Sequence, residues 1–355
     1  MNYKKIISAA RTAGLTALAV FLGISLLAGC SKQKTVTIYT WAEMFPQEIL
    51  DGFEKQSGYR INYNNFDYNE TMLTRLERSG GGDYDLIIAD DYIIETIIEK
   101  GLAQKLDKSK IANYRNINPI YQKQFYDPLD EYTIPYGAGV QTIVYDPKQV
   151  SLDISGYNDL WAPALRNKIG IIGNHRVING MALKVLGKSY NTLDLQDIRA
   201  AGEKLLSLAP NIRLIKDDEL QEDLLSGEIA VGVMYTSQVT MAKIANPDLK
   251  VVFPGEGIGF GIMACFIPAK ASNPDAAHAF LAYIMDEKRG AECFEHLGYY
   301  STFSGSDSYI GQEYKEYLTL PKGFNANMEM IRNISADAEE EHSRAWTAFK
   351  AASGR

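Results

Sequence analysis

The chain has 355 residues, with 36 lysines and arginines against 44 aspartates and glutamates, and a formal charge of −8. So acidic a composition suits nucleic acid poorly, because its binders lean on basic faces; it tolerates or weakly attracts cationic ligands. The four histidines, His175, His278, His296 and His342, are scattered without metal-ligand spacing, and only three cysteines are present.

Lys4, Lys5 and Arg11 precede an almost wholly apolar stretch, residues 15–27. It is too short to cross a bilayer comfortably, which takes about 20 apolar residues, and it reads as part of a secretory signal peptide over residues 1–29. Its end, Leu27-Ala28-Gly29-Cys30, looks like the lipobox of bacterial lipoproteins. Cys30 is therefore the expected lipidation site and residues 30–35 a lipidated tether. Without the three leader cations the charge becomes −11, three below the −8 of the whole chain. Cys265, in an apolar run, and Cys293, on a helical pattern, are expected as two buried thiols.

Beyond the leader, strands and helices alternate. Residues 35–40 (TVTIYT) read as a strand and 45–57 as an amphipathic helix stopped by Gly58. A second strand is expected at 59–63 and a second helix at 70–78, closed by Gly80-Gly81-Gly82. Residues 85–89 (DLIIA) form a short buried strand, and 92–100 a helix with Gly101 behind it. Such succession implies a mainly parallel sheet covered by helices, whose ligands bind beyond the C-terminal strand ends. Those ends carry Trp41-Ala42-Glu43 and Asp90-Asp91-Tyr92.

Residues 133–146 (TIPYGAGVQTIVYD) break the rhythm with proline, glycine and strand formers in one run. A second domain follows, with strands at 169–172 and 229–234 and helices near 180–188 and at 194–208. Residues 250–268 look like a second passage between domains, and a third is expected near 303–307. Helices at 274–286 and around 336–351 complete the pattern. The domains are thus discontinuous: 36–140 with 262–307 make one lobe, 141–261 with 308–353 the other. Asp83 and Asp85 read as turn and capping residues, and Trp161 as second-domain core. Glu339-Glu340-Glu341-His342 reads as a solvated charged face, since sequential neighbours on a helix do not share one side. No HExxH or Gly-x-Ser-x-Gly motif supports an enzyme.

The segments IYTWAEMFPQEIL, YNETML, GDYDLIIADDY, GLAQKLDKSKI, YTIPYGAGV, MALKVLG, FIPAKASNPDAAHAFLAYIM and LGYYSTF resemble, in order and at similar spacing, the bacterial spermidine/putrescine-binding proteins of ABC transporters. The resemblance runs from Val36 to the C-terminus. It implies an α/β, two-lobed periplasmic-binding-protein fold of type II, with the ligand clamped between the lobes. It implies an exported, lipid-anchored monomer facing the periplasm or cell exterior. Such a protein hands a small solute, a polyamine, to an ABC permease with its cytoplasmic ATPase, and needs no cofactor or metal. Trp41, Glu43, Asp90, Tyr92, Tyr235 and Tyr299 fall where the family lines its pocket. Trp41 and Tyr299 would be walls for methylenes and faces for cations, Glu43 and Asp90 partners for ammonium groups, and Tyr92 and Tyr235 faces or hydroxyls. Asp90 stands where relatives often have serine.

The departures bear on the solute. Asn174 and Val177 stand where polyamine binders carry acids, Gly261 where they have tryptophan, and Met263 where they have aspartate. Arg332 stands at a position that is usually neutral and polar. A buried ammonium without a partner is costly, so the alternative is a zwitterionic or anionic solute, such as an opine or a phosphonate. Asn174-His175-Arg176 and Arg332 would contact it. A ligand-sensing surface receptor, and last a secreted enzyme, are the readings from other classes. The expected mechanism is ligand-driven closure about 135–144 and 254–263.

Overall fold

The computed structural model describes residues 34–216, 219–318 and 328–354; the leader, Cys30 and most of the expected tether lie outside them. Strands β1 (Thr35–Thr40), β2 (Arg60–Asn65) and β3 (Leu86–Asp90) alternate with helices α1 (Gln47–Ser57), α2 (Asn69–Ser79) and α3 (Asp91–Glu99). The local causes are visible in the sequence. Helix α1 buries Ile49 and Phe53 and ends where Gly58 takes φ +75°, a left-handed cap that a side chain would resist. β1 pairs in parallel with both β2 and β3.

A 13-residue strand, β4 (Thr133–Tyr145), then leads into a second group of elements. These are β5 (Ile169–Ile171), α4 (His175–Val185), α5 (Leu195–Leu206), β6 (Ile212–Ile215), α6 (Leu220–Ser226), β7 (Val231–Tyr235), α7 (Thr236–Ala245) and β8 (Lys250–Val252). The chain returns through β9 (Ile258–Phe266), α8 (Pro274–Ile284), α9 (Glu287–Leu297) and the short α10 (Gln312–Lys315). It closes with β10 (Met328–Met330) and α11 (Ala336–Ser353). The strand order is β2-β1-β3-β9-β4-β7-β5-β6, with β10 beside β9 and β8 beside β4. β4 is the bridge: Thr133–Val140 run antiparallel to β9, and Gln141–Tyr145 run antiparallel to β7.

The apolar cores divide accordingly. One is built from residues 143–249 with Trp346 and Phe349 of α11; the others come from residues 36–140 and 258–318. Phe303, Ile310 and Leu318 all pack in the first lobe, so the chain has not left that lobe at 303–307, where the sequence suggested a third passage. Helix α4 begins at His175 rather than near 180, because Asn174 caps it, accepting from the N–H groups of Arg176 and Val177. Cys265 and Cys293 are buried and unpaired.

The acidic run on α11 is not a solvated face. Glu341 and His342 are buried. Asn179 of α4 donates to His342 Nδ1 at 3.1 Å, and Arg199 of α5 reaches Glu341 at 3.3 Å. Glu339 meets His175 and, at 3.5 Å, Arg176. Burial, then the nearby Arg176 charge, pull His342 down to about 4, so it is neutral at physiological pH.

Candidate functional site

In both lobes parallel strands run into helices at one edge. β1 ends before Trp41 and Glu43, and β3 passes directly into α3 at Asp90-Asp91. In the second lobe β5 ends before Asn174, and β7 passes directly into α7 at Tyr235-Thr236. Tyr39 lies opposite Ile87, so Trp41 and Asp90 leave neighbouring strand ends. Trp41 is half-buried, with its ring 4.9 Å from that of Phe66. Glu43 is exposed and holds φ +55°, an unfavourable left-handed turn for a residue with a side chain, and its carbonyl contacts His296 Nε2 at 2.8 Å.

The first-lobe wall is a connected polar network. Asn69, buried at the start of α2, donates to Asp90 Oδ2 at 2.8 Å and to the Tyr92 hydroxyl at 3.1 Å. Tyr92 in turn donates to Glu70 Oε1 at 3.1 Å. Burial, reinforced by the Glu70 charge and opposed by the Asn69 hydrogen bond, pushes the Asp90 carboxyl up to about 6. Its neighbour Asp91 is 4% exposed. Asp91 accepts from Tyr92 N–H at 2.8 Å and from Ile262 N–H of β9 at 3.0 Å, tying the helix start to a crossing strand. Burial and the Asp90 charge hold the Asp91 carboxyl well above the usual range. Burial raises Tyr92 strongly as well, followed by the charges of Asp90 and Glu70. A positive charge placed beside this wall would stabilise the ionised form of the Asp90 carboxyl.

Tyr299 packs against the bridging strand β4. Its ring fills the space left by glycine in β4: a Cβ on Gly139 would lie 2.7 Å from the ring, and one on Gly137 3.6 Å from the Tyr299 Cβ. Its hydroxyl is hydrogen-bonded to Ser237 of α7, and it feels the Asp90 charge. Thr236 clamps β4 by accepting from Val140 N–H at 2.9 Å and donating to Val140 O at 3.1 Å. Met263 lies opposite Asp90 across β3 and β9. Gly261, half-exposed, has Asp91 Oδ2 as the nearest atom to its open side, 4.0 Å from a would-be Cβ.

Asp90, Tyr92 and Tyr299 thus come together, with Trp41 and Glu43 at the adjoining strand end. Tyr235 sits at the second-lobe turn and packs partly on that lobe's core. Asn174 is exposed and spends its side-chain oxygen on the helix cap. Val177 is core. Arg332 is exposed, with its guanidinium 4.7 Å over the Phe125 ring. Asn69 and Glu70 were missed as site residues, although the same strand-end rule applied to the β2–α2 turn reaches them. Ser237 carried no signal. Asp85, accepting from Thr37 and Asn273 N–H groups, is structural. Two depressions of the surface, beside Ser155 and Glu256 and beside Asp51 and Arg60, contain none of these residues. Among the described residues no group of three His, Cys, Asp or Glu side chains could hold a metal, and no helix is long and apolar enough to cross a membrane.

Residues 48–322 match the family model of the bacterial extracellular solute-binding proteins. The spermidine/putrescine-binding periplasmic protein of Salmonella typhimurium is 33% identical over 290 residues, 80% of this chain and 82% of that protein. The putrescine-binding periplasmic protein PotF of Escherichia coli is 27% identical over 360 residues, 95% of this chain and 96% of that one. Among solved structures, the spermidine/putrescine ABC transporter substrate-binding protein PotD of Streptococcus pneumoniae superposes with a TM-score of 0.80 at 28% identity, over 90% of this chain and 99% of that one. The fold is the two-lobed, type II periplasmic-binding-protein fold.

Proposed function

The chain belongs to the bacterial extracellular solute-binding proteins, and from that premise we propose that it captures a polyamine outside the cytoplasm for an ABC importer. Its task is binding rather than catalysis. The observation that carries the reading is the acidic and aromatic wall at the β3–α3 turn, where Asp90 is pushed up to about 6 next to Tyr92 and Tyr299. An ammonium group placed there donates a charge-assisted hydrogen bond to Asp90. Trp41 supplies a face for the methylenes and the cation, and Glu43 closes on the solvent side. Relatives whose names specify spermidine and putrescine support the same solute class.

The moving bodies are residues 36–140 with 262–318, and 141–261 with 328–353. Rotation about β4 and β9 encloses the solute, and the closed form is what the permease, driven by its ATPase, distinguishes from the open one. Lipidation of Cys30 would hold the protein, as a monomer, at the membrane. Calorimetric titration with putrescine and spermidine tests the reading. Binding of at least one is expected, with Trp41→Ala or Glu43→Ala weakening it by about tenfold or more without unfolding the protein. Unchanged affinity in both variants would remove these residues from the site.

A further inference from the structure

Resting on the reading of the cleft as an amine site, the two walls can be compared for what they offer each end of a ligand. Glu43, Glu70, Asp90 and Asp91 all belong to the first lobe. The second-lobe turn has donors instead. Asn174 Oδ1 already accepts from the N–H groups of Arg176 at 3.1 Å and Val177 at 3.2 Å, which leaves the amide NH2 of Asn174 to face outward as a donor. The Arg176 side chain is 12% exposed. Its guanidinium reaches Glu339 at 3.5 Å and the carbonyls of Tyr190 and Arg332 at 3.3 Å. Its Nε is buried with no partner among the described residues.

Tyr92 marks the divide. From its own lobe it feels Asp90 and Glu70; from the other lobe it interacts with the Arg176 charge. The crossing strand supplies no second acid, since Met263 stands opposite Asp90 and position 261 is glycine. A diamine with one ammonium on Asp90 and its other end across the cleft, away from Glu43, would meet donors there, with Glu339 already paired to His175 and Arg176. An oxygen acceptor in that second place would instead take the Arg176 Nε–H and lie at the positive end of α4.

We propose that the cleft selects a primary amine whose far end is an oxygen acceptor, an ω-amino amide or ω-amino carboxylate, with the ammonium on Asp90 and the acceptor facing Arg176 and Asn174. Both far ends share the acceptor chemistry, and the choice of ligands separates the neutral from the anionic one.

The test is calorimetric titration of the protein with putrescine, N-acetylputrescine and 4-aminobutanoate at one ionic strength. N-acetylputrescine or 4-aminobutanoate is expected to bind tenfold or more tighter than putrescine. Putrescine binding as tightly as either, or tighter, overturns the selectivity while leaving the amine site standing, provided Asp90→Asn removes that binding. No binding by any of the three overturns the proposal, and failure of spermidine as well overturns the amine reading on which it rests. Asn174→Asp keeps the capping oxygen, so the fold is retained, and adds one negative charge to the donor wall. It is expected to shift the ratio of affinities at least tenfold towards putrescine, with thermal melting confirming an intact fold. An unchanged ratio overturns the assignment of the far end to this wall.

Discussion

Two turns of this molecule use the same backbone device and opposite chemistry. At β3–α3 and at β7–α7 a strand becomes a helix without an intervening loop, so that a helix start and its first N–H groups lie at the strand end. The first turn meets them with adjacent carboxylates, Asp90 and Asp91. The second carries hydroxyl side chains, and Thr236 satisfies both the N–H and the C=O of Val140. The acidic turn is therefore electrostatically unfavourable until a cation arrives, whereas the neutral turn is already satisfied and can serve as a fixed seat for β4. A charge left waiting for a ligand binds; a hydroxyl already paired holds the frame.

Asp90→Asn gives the largest expected effect and tests that contrast most directly. The Asp90 pKa is raised to about 6 from 3.8 in the folded protein. The stability it contributes is complete below the unfolded value and lost as pH rises through the folded one. At pH 7.5 the carboxylate thus costs stability. Asparagine keeps a hydrogen-bonding partner for Asn69 while removing the charge. Amine affinity should fall about 100-fold, which is about 2.7 kcal/mol, while the melting temperature rises by the equivalent of about 1–2 kcal/mol. Calorimetry and thermal melting read the two signs. A fall in both would make Asp90 part of the scaffold rather than a waiting charge.

The same carboxylate predicts a smaller effect of pH. Lowering the pH from 7.5 to 5.5 protonates most of the Asp90 population, and affinity for an amine should weaken about fourfold. The dependence should vanish in Asp90→Asn. Persistence of the full slope in that variant would assign the titration to Asp91 instead.

The first-lobe turns were legible because each is punctuated. Gly58, the glycine run 80–82 and Gly101 stop the helices, and strict βα alternation puts Trp41 and Asp90 at strand ends. The second lobe keeps Gly187 behind α4 and Gly227 behind α6, but its β7–α7 turn carries no such mark. α7 follows β7 with neither glycine nor proline between them. Its sequence TSQVTMAKIA buries Thr236, Gln238 and Thr240 along with Val239 and Ala242, so no apolar stripe announces it. By sequence Asn174 stands in place of an acid; its capping role follows from the start of α4 at His175. The burial of Glu341 and His342 was equally out of reach of helical periodicity. α4 and α5, which supply Asn179 and Arg199, decide which face of α11 is covered.

Arg332 carries the smallest expected effect and bounds the positive wall. The sequence made it a candidate cation for an anionic solute. In the fold its main chain does the structural work: its N–H donates to Asn191 Oδ1 at 2.7 Å, and its carbonyl accepts from Arg176 at 3.3 Å. The guanidinium lies exposed over Phe125, within reach of Glu95. Arg332→Ala leaves the main-chain bonds in place and removes one exposed cation–π contact, a loss of about 0.5–1 kcal/mol in stability. Because Arg176 keeps its carbonyl partner, the affinity ratio between 4-aminobutanoate and putrescine should move by less than about threefold, near 0.6 kcal/mol. A tenfold loss confined to the carboxylate ligand would extend the donor wall from Arg176 out to Arg332, and would make the far end of the cleft longer than the Tyr92–Arg176 divide implies.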